Sequence, residues 1–142
     1  MGAFSDSCVS ALLVGEYENE RLFLQRIFRD AGWRLWEAPD RSGALDCLSR
    51  YPVQVVISQK DGPRWHWKEV LHDLCSLGRP PQLIVTSRTA DDQLWAEVLN
   101  VGGYDVLPQP LNRDEVERVV AAARRQFERF CPSPNLMVLG AA

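Results

Sequence analysis

Residues 53–58 read Val53-Gln54-Val55-Val56-Ile57-Ser58, the most continuous β-branched run in the chain. β-Branched side chains suit a pleated surface, and a run with little polar alternation reads as a strand covered on both faces. Val53–Ile57 is therefore predicted as a central strand of a parallel sheet. Upstream, Asp40 offers an N-cap for a helix carrying Ala44, Leu45 and Leu48, which ends before Tyr51-Pro52. Downstream, the turn-rich Asp61-Gly62-Pro63 leads to Trp67, Val70, Leu71 and Leu74 at helical spacing, stopped by Gly78 and two prolines.

The same alternation continues outward. Ser10–Val14 is a short apolar strand ending at Gly15. Leu22, Phe23, Ile27 and Phe28 mark a helix between Asn19 and Ala31, with Gly32 as its stop, and Trp33–Ala38 is a second strand. Gln82–Val85 is a fourth strand. Thr89 and Asp92 resemble a capping box for a helix bearing Leu94, Val98 and Leu99. Asp105–Leu107 gives a fifth strand, and Asn112 with Glu115 opens a last helix carrying Val116, Val119, Val120, Ala123 and Phe127. Five strands alternating with five helices predict an α/β, doubly wound five-stranded parallel sheet, a flavodoxin-like three-layer sandwich in one domain over residues 10–130. Residues 1–9 and 131–142 read as tails, the second as a tail or the start of a linker. In such folds function sits at the carboxyl ends of the strands.

Composition limits the function classes. The 142 residues carry a formal net charge of -3, 46% apolar and 25% charged residues. These values suit one globular domain and argue against a broad nucleic-acid or anionic-membrane surface. Cys8, Cys47, Cys75 and Cys131 are scattered, without a zinc-like spacing, and fit reduced thiols in the cytoplasm. No stretch approaches a membrane span, and no basic start is followed by an apolar run.

Several segments together carry a resemblance: Leu12-Leu13-Val14-Gly15-Glu16, Gly43-Ala44-Leu45, Val55-Val56-Ile57-Ser58, Pro81-Gln82-Leu83-Ile84-Val85-Thr86 and Gly102-Gly103-Tyr104-Asp105-Val106-Leu107-Pro108-Gln109-Pro110. In this order and spacing, about 120 residues of the chain resemble the receiver domains of bacterial response regulators, which belong to two-component and phosphorelay signal transduction. The resemblance implies a domain to which a histidine kinase transfers phosphate on an aspartate beside Mg²⁺. It places an acidic pair at Gly15-Glu16, the phosphoaccepting aspartate at Ser58, a Thr or Ser at Thr86 and a lysine at Gln109. It also implies a cis Gln109–Pro110 bond, and it places the inward-turning aromatic of the family at Val106, two residues from Tyr104.

On that assignment most of the chemistry is missing. An acyl phosphate requires a carboxylate nucleophile, and a serine hydroxyl is protonated at neutral pH with no base evident beside it. Mg²⁺ favours an octahedral oxygen shell anchored by carboxylates, and only Glu16 remains. Catalytic residues, Mg²⁺ and any other cofactor are accordingly not expected. Asp61 could act as a substitute phosphoacceptor, but Lys60-Asp61-Gly62-Pro63 has the composition of a simple turn. Thr86 could equally be a turn or helix cap.

Arg64-Trp65-His66-Trp67 has the composition of a contact hot spot, against packing of Trp67 in the helix and of Trp65 over the vacated pocket. His66 is too isolated for a metal ligand, although an imidazole can titrate near neutral pH. Trp95 lies among Asp91, Asp92 and Glu97 on the fourth helix, and its exposure would mark an interface. Arg113, Arg118, Arg124, Arg125 and Arg129 make the fifth helix basic, either as a solvated face or as a charge match to the fourth. In the family, the face of helix 4, strand 5 and helix 5 mediates dimerisation and output coupling.

The leading expectation is a pseudo-receiver that acts by protein–protein interaction with a kinase, an output domain or another copy, without nucleic acid or membrane. The alternative is a small-ligand sensor whose pocket is lined by Glu16, Ser58, Thr86, Gln109 and residues 64–67. An enzyme of another flavodoxin-like family is disfavoured, because Gly15-Glu16-Tyr17-Glu18 is acidic and lacks the glycines of a phosphate loop.

Overall fold

The computed structural model describes residues 8–18, 20–62 and 65–130. Of the tails read at 1–9 and 131–142, residues 1–7 and 131–142 lie outside the described residues, as do Asn19, Pro63 and Arg64. Val9 is no tail residue: it is buried in the core and its carbonyl accepts from Arg34 N at 2.8 Å. The elements run β1 (Ser10–Val14), α1 (Glu20–Ala31), β2 (Arg34–Ala38), α2 (Arg41–Arg50), β3 (Val55–Gln59), α3 (Trp67–Cys75), β4 (Gln82–Ser87), α4 (Asp92–Asn100), β5 (Asp105–Pro108) and α5 (Arg113–Phe130). All strand pairs are parallel, in the order β2-β1-β3-β4-β5. The doubly wound (βα)5 sandwich expected from the alternation is the fold observed.

Two cores flank the sheet because successive strand residues point to opposite faces. Leu12, Val14, Val56, Leu83, Val85 and Val106 face α2, α3 and α4, where Ala44, Trp67, Val70, Leu74, Leu94 and Val98 meet them. Ala11, Leu13, Val55, Ile57, Ile84 and Leu107 face α1 and α5, against Leu24, Ile27, Phe28, Val116, Val119 and Val120. The Asp40 cap is present, its carboxylate accepting from Gly43 N at 2.8 Å, and Asn112 caps α5 by accepting from Glu115 N at 3.0 Å. Arg41 binds Asp73 in a two-pronged contact of 2.6 and 3.0 Å, tying α2 to α3.

Four expectations need correction. The third strand spans Val55–Gln59, not Val53–Ile57, because pairing with β4 runs on through Ser58↔Val85 and Gln59↔Thr86. The fourth strand likewise continues to Ser87. Helix α4 is capped by Asp91, which accepts from Leu94 N at 2.8 Å; Thr89 instead sits in a turn closed on Ser87 Oγ at 3.1 Å. Finally, Leu22, Leu45 and Leu99 are exposed and do not join the core. On α1 the buried position is Leu24, since Leu24, Ile27 and Phe28 form the inward stripe.

Candidate functional site

The carboxyl ends of β1, β3 and β5 border a cleft of about 760 Å³. Its lining holds three carboxylates, Glu16, Glu18 and Glu20, one guanidinium, Arg88, and the amides of Gln59 and Gln109, with Tyr17 and Pro110. The Gln109–Pro110 bond is cis, as the resemblance implied.

Gln59 ends β3 and folds over the β1–α1 loop. Its Nε2 donates to Glu16 O at 2.9 Å, and its Oε1 accepts from Glu16 N at 3.3 Å. Close approach of this side chain is possible because Gly15 has no Cβ: one built there would stand 2.5 Å from Gln59 Oε1. Gly15 also holds a φ of +130°, which side-chain-bearing residues rarely adopt. Gly15→Ala is therefore expected to destabilise the domain by about 1–3 kcal/mol in urea denaturation. A loss below roughly 0.5 kcal/mol would show that the loop relaxes freely.

Gln109 donates through Nε2 to Glu20 Oε1 in a short contact. The other oxygen of Glu20 accepts from Leu111 N at 3.2 Å. Glu20 begins α1, so its carboxylate joins that helix to the β5–α5 loop. Tyr17 is 6% exposed and its hydroxyl lies 2.7 Å from Thr86 Oγ1. Burial pushes the phenol pKa well above its ordinary value; the bond to Thr86 opposes this and the nearby Glu20 charge adds to it. The phenol is thus neutral and able to donate.

The assignment of Ser58 as the strand-end site residue is overturned. Gly15, Gln59, Thr86 and Gln109 share the parity of Leu13, Ile57, Ile84 and Leu107, whereas Ser58 shares that of Val56. Ser58 is fully buried, its Oγ donating to Gln59 O at 2.9 Å, and it does not line the cleft. Gln59 occupies the place assigned to it. Nothing in the sequence of β3 marked the parity, because that strand is apolar on both faces. Tyr17, Glu20 and Arg88 carry no signal in the sequence beyond their proximity to the ends of β1 and β4.

The other candidates fall elsewhere. Thr86 is 1% exposed and, like Ser58, Trp65, His66 and Trp67, is absent from the cleft wall, so of the described residues assigned to the sensor pocket only Glu16 and Gln109 line the cleft. Trp65 is buried in the α2–α4 core and lies against Gly62, not over the cleft. His66 is the N-cap of α3: its Nδ1 accepts from Lys68 N at 3.2 Å and its backbone N–H donates to Glu69 Oε1 at 2.9 Å. Asp61 pairs with His66 Nε2 at 3.5 Å across a β-bridge and does not line the cleft. Trp95 is half-buried and donates to Asp105 Oδ1 at 2.7 Å, tying α4 to β5. Val106 is 1% exposed, so it belongs to the core and offers no contact surface.

Comparison with known proteins agrees with this architecture. The signal receiver domain of an HD domain-containing protein from Pseudomonas fluorescens superposes with a TM-score of 0.75 at 24% identity, over 85% of this chain and 98% of that one. The chemotaxis response regulator CheY4 of Vibrio cholerae gives 0.70 at 19% identity, over 79% and 98%. In sequence, 87 residues are 30% identical to the transcriptional regulatory protein CutR of Streptomyces coelicolor and of Streptomyces lividans. That match covers 61% of this chain and 40% of the curated relatives. No family model matches the chain. The chain has the receiver fold of two-component response regulators. Among the described residues, no helix is long and apolar enough to cross a membrane.

Proposed function

We propose that this is a receiver-fold signalling module that works in the cytoplasm through protein–protein contacts and carries no phosphoryl group. The observation that carries this reading is Gln59. The strand-end position facing the cleft holds a neutral amide committed to the Glu16 backbone. An amide cannot supply the carboxylate oxygen that an acyl phosphate needs. The donor set also does not suit Mg²⁺: Gly15 has no side chain, both oxygens of Glu20 are engaged by Gln109 and Leu111 N, and the Gln59 carbonyl faces a backbone N–H. Among the described residues, Glu16, Glu18 and Glu20 do not converge as a metal-holding group. Gln109 likewise answers Glu20 in place of a phosphoryl group. Partners suited to such a module are a kinase, an output domain or a second copy, and no catalytic residue of its own is required.

Intact-mass spectrometry after incubation with acetyl phosphate, with and without Mg²⁺, tests the reading. The expected spectrum is unchanged in both samples. A Mg²⁺-dependent phosphoryl adduct would overturn it.

A further inference from the structure

We infer that the Tyr17–Thr86 hydrogen bond is a latch that couples the mouth of the cleft to the loop leading into α4. The inference rests on the reading above only in taking the mouth as free of a phosphoryl group.

The contact joins residues 69 apart in sequence. Because β3 lies between β1 and β4, it spans the end of the central strand. A phenol hydroxyl this deeply buried is costly unless bonded, and so is the hydroxyl of Thr86. The pairing satisfies both. Without it, Thr86 Oγ1 keeps only the long approach to Ser58 O at 3.5 Å.

Each end of the latch is wired to a different surface. On the Tyr17 side, Glu16 is clasped by Gln59, and Glu20 holds the β5–α5 loop through Gln109 and Leu111 N. On the Thr86 side, Thr86 O accepts from Lys60 N at 3.0 Å, and the next carbonyl, Ser87 O, accepts from Gln109 N at 2.9 Å. Ser87 Oγ then fixes Thr89 N at 3.1 Å, two residues before the Asp91 cap of α4. A change at the cleft that draws Tyr17 outward therefore strips Thr86 of its partner and loosens the approach to α4. Any ligand or partner engaging the mouth would be read at that helix.

Hydrogen exchange in the whole chain tests the latch. Tyr17→Phe keeps the ring and removes the hydroxyl; amide exchange across residues 86–94 is expected to rise about five- to tenfold, the effect of losing one net hydrogen bond. Thr86→Val should accelerate the same segment by a similar factor. The double variant should add little, because both changes break one interaction. Thr86→Ser retains the hydroxyl and should exchange like the wild type; it also carries the test should Tyr17→Phe fail to fold. Unchanged exchange over 86–94, additive effects, or a Thr86→Ser response equal to that of Thr86→Val would overturn the latch. The two proposals fail separately: a phosphoryl adduct on the wild type overturns the function reading, and an unresponsive 86–94 segment overturns the latch alone.

Discussion

Ser58→Asp is expected to destabilise the domain by about 3–5 kcal/mol, while Gln59→Asp, one residue along, changes stability by about 1 kcal/mol or less. The difference follows from parity. Ser58 is fully buried on the face of β3 that shares the parity of Val56, where a carboxylate would lose its hydration. Gln59 is only half-buried and faces the cleft, so a carboxylate there keeps access to water. Burial raises the folded-state pKa of an aspartate at 58 above its unfolded value. The unfolded chain therefore releases its proton first, and stability falls as the pH rises through the window between the two values. Below the unfolded value of about 4 the carboxyl is neutral in both states, and the penalty of Ser58→Asp should shrink. Urea denaturation of both variants at neutral and acidic pH measures this. Equal stabilities at neutral pH would mean that β3 can rotate its register, and the assignment of Gln59 to the cleft would fall.

The second large effect concerns the indoles. Trp67→Ala is expected to cost about 3–5 kcal/mol, a large part of the roughly 5–15 kcal/mol that holds a domain of this kind together. Trp67 is fully buried at the start of α3 and belongs to the core that also holds Leu12, Val56 and Leu83. Removing it leaves a cavity beneath the centre of the sheet. The melting temperature should fall by roughly 10–20 °C. Trp67→Phe should cost far less: the indole Nε1–H has no hydrogen-bond partner among the described residues, so phenylalanine sheds an unsatisfied donor while refilling most of the volume. A calorimetric melt compares the two. If Trp67→Ala melted within a few degrees of the wild type, α3 would not be the anchor that its burial implies.

Residues 65–67 behave differently from the composition of the segment they belong to. Two indoles, an imidazole and an arginine are the ingredients of a contact hot spot, yet Trp65 and Trp67 serve the core and His66 caps α3. The same residue types meet both needs, because a large apolar ring is favoured wherever water is excluded, by a partner or by the chain itself. Trp95 shows the intermediate case, half-buried with its N–H held by Asp105. Composition cannot separate these outcomes; only the path of the backbone around Gly62, where a Cβ would strike the Trp65 ring, does so.

The sequence by itself determined the order and kind of all ten elements. Apolar runs and helical spacings are local signals, and the Asp40 and Asn112 caps lie within three residues of the amides they bind. It also determined that the carboxyl ends of the strands carry Gly15, Thr86, Gln109 and Pro110. What only the tertiary structure decided was direction across the sheet. β3 is apolar on both faces, so its sequence holds no alternation to tell Ser58 from Gln59, and the register against β4 sets which side chain reaches the cleft. The bond between Tyr17 and Thr86 depends on the strand order as well, since it forms only because β3 separates β1 from β4 by a distance that one phenol can span.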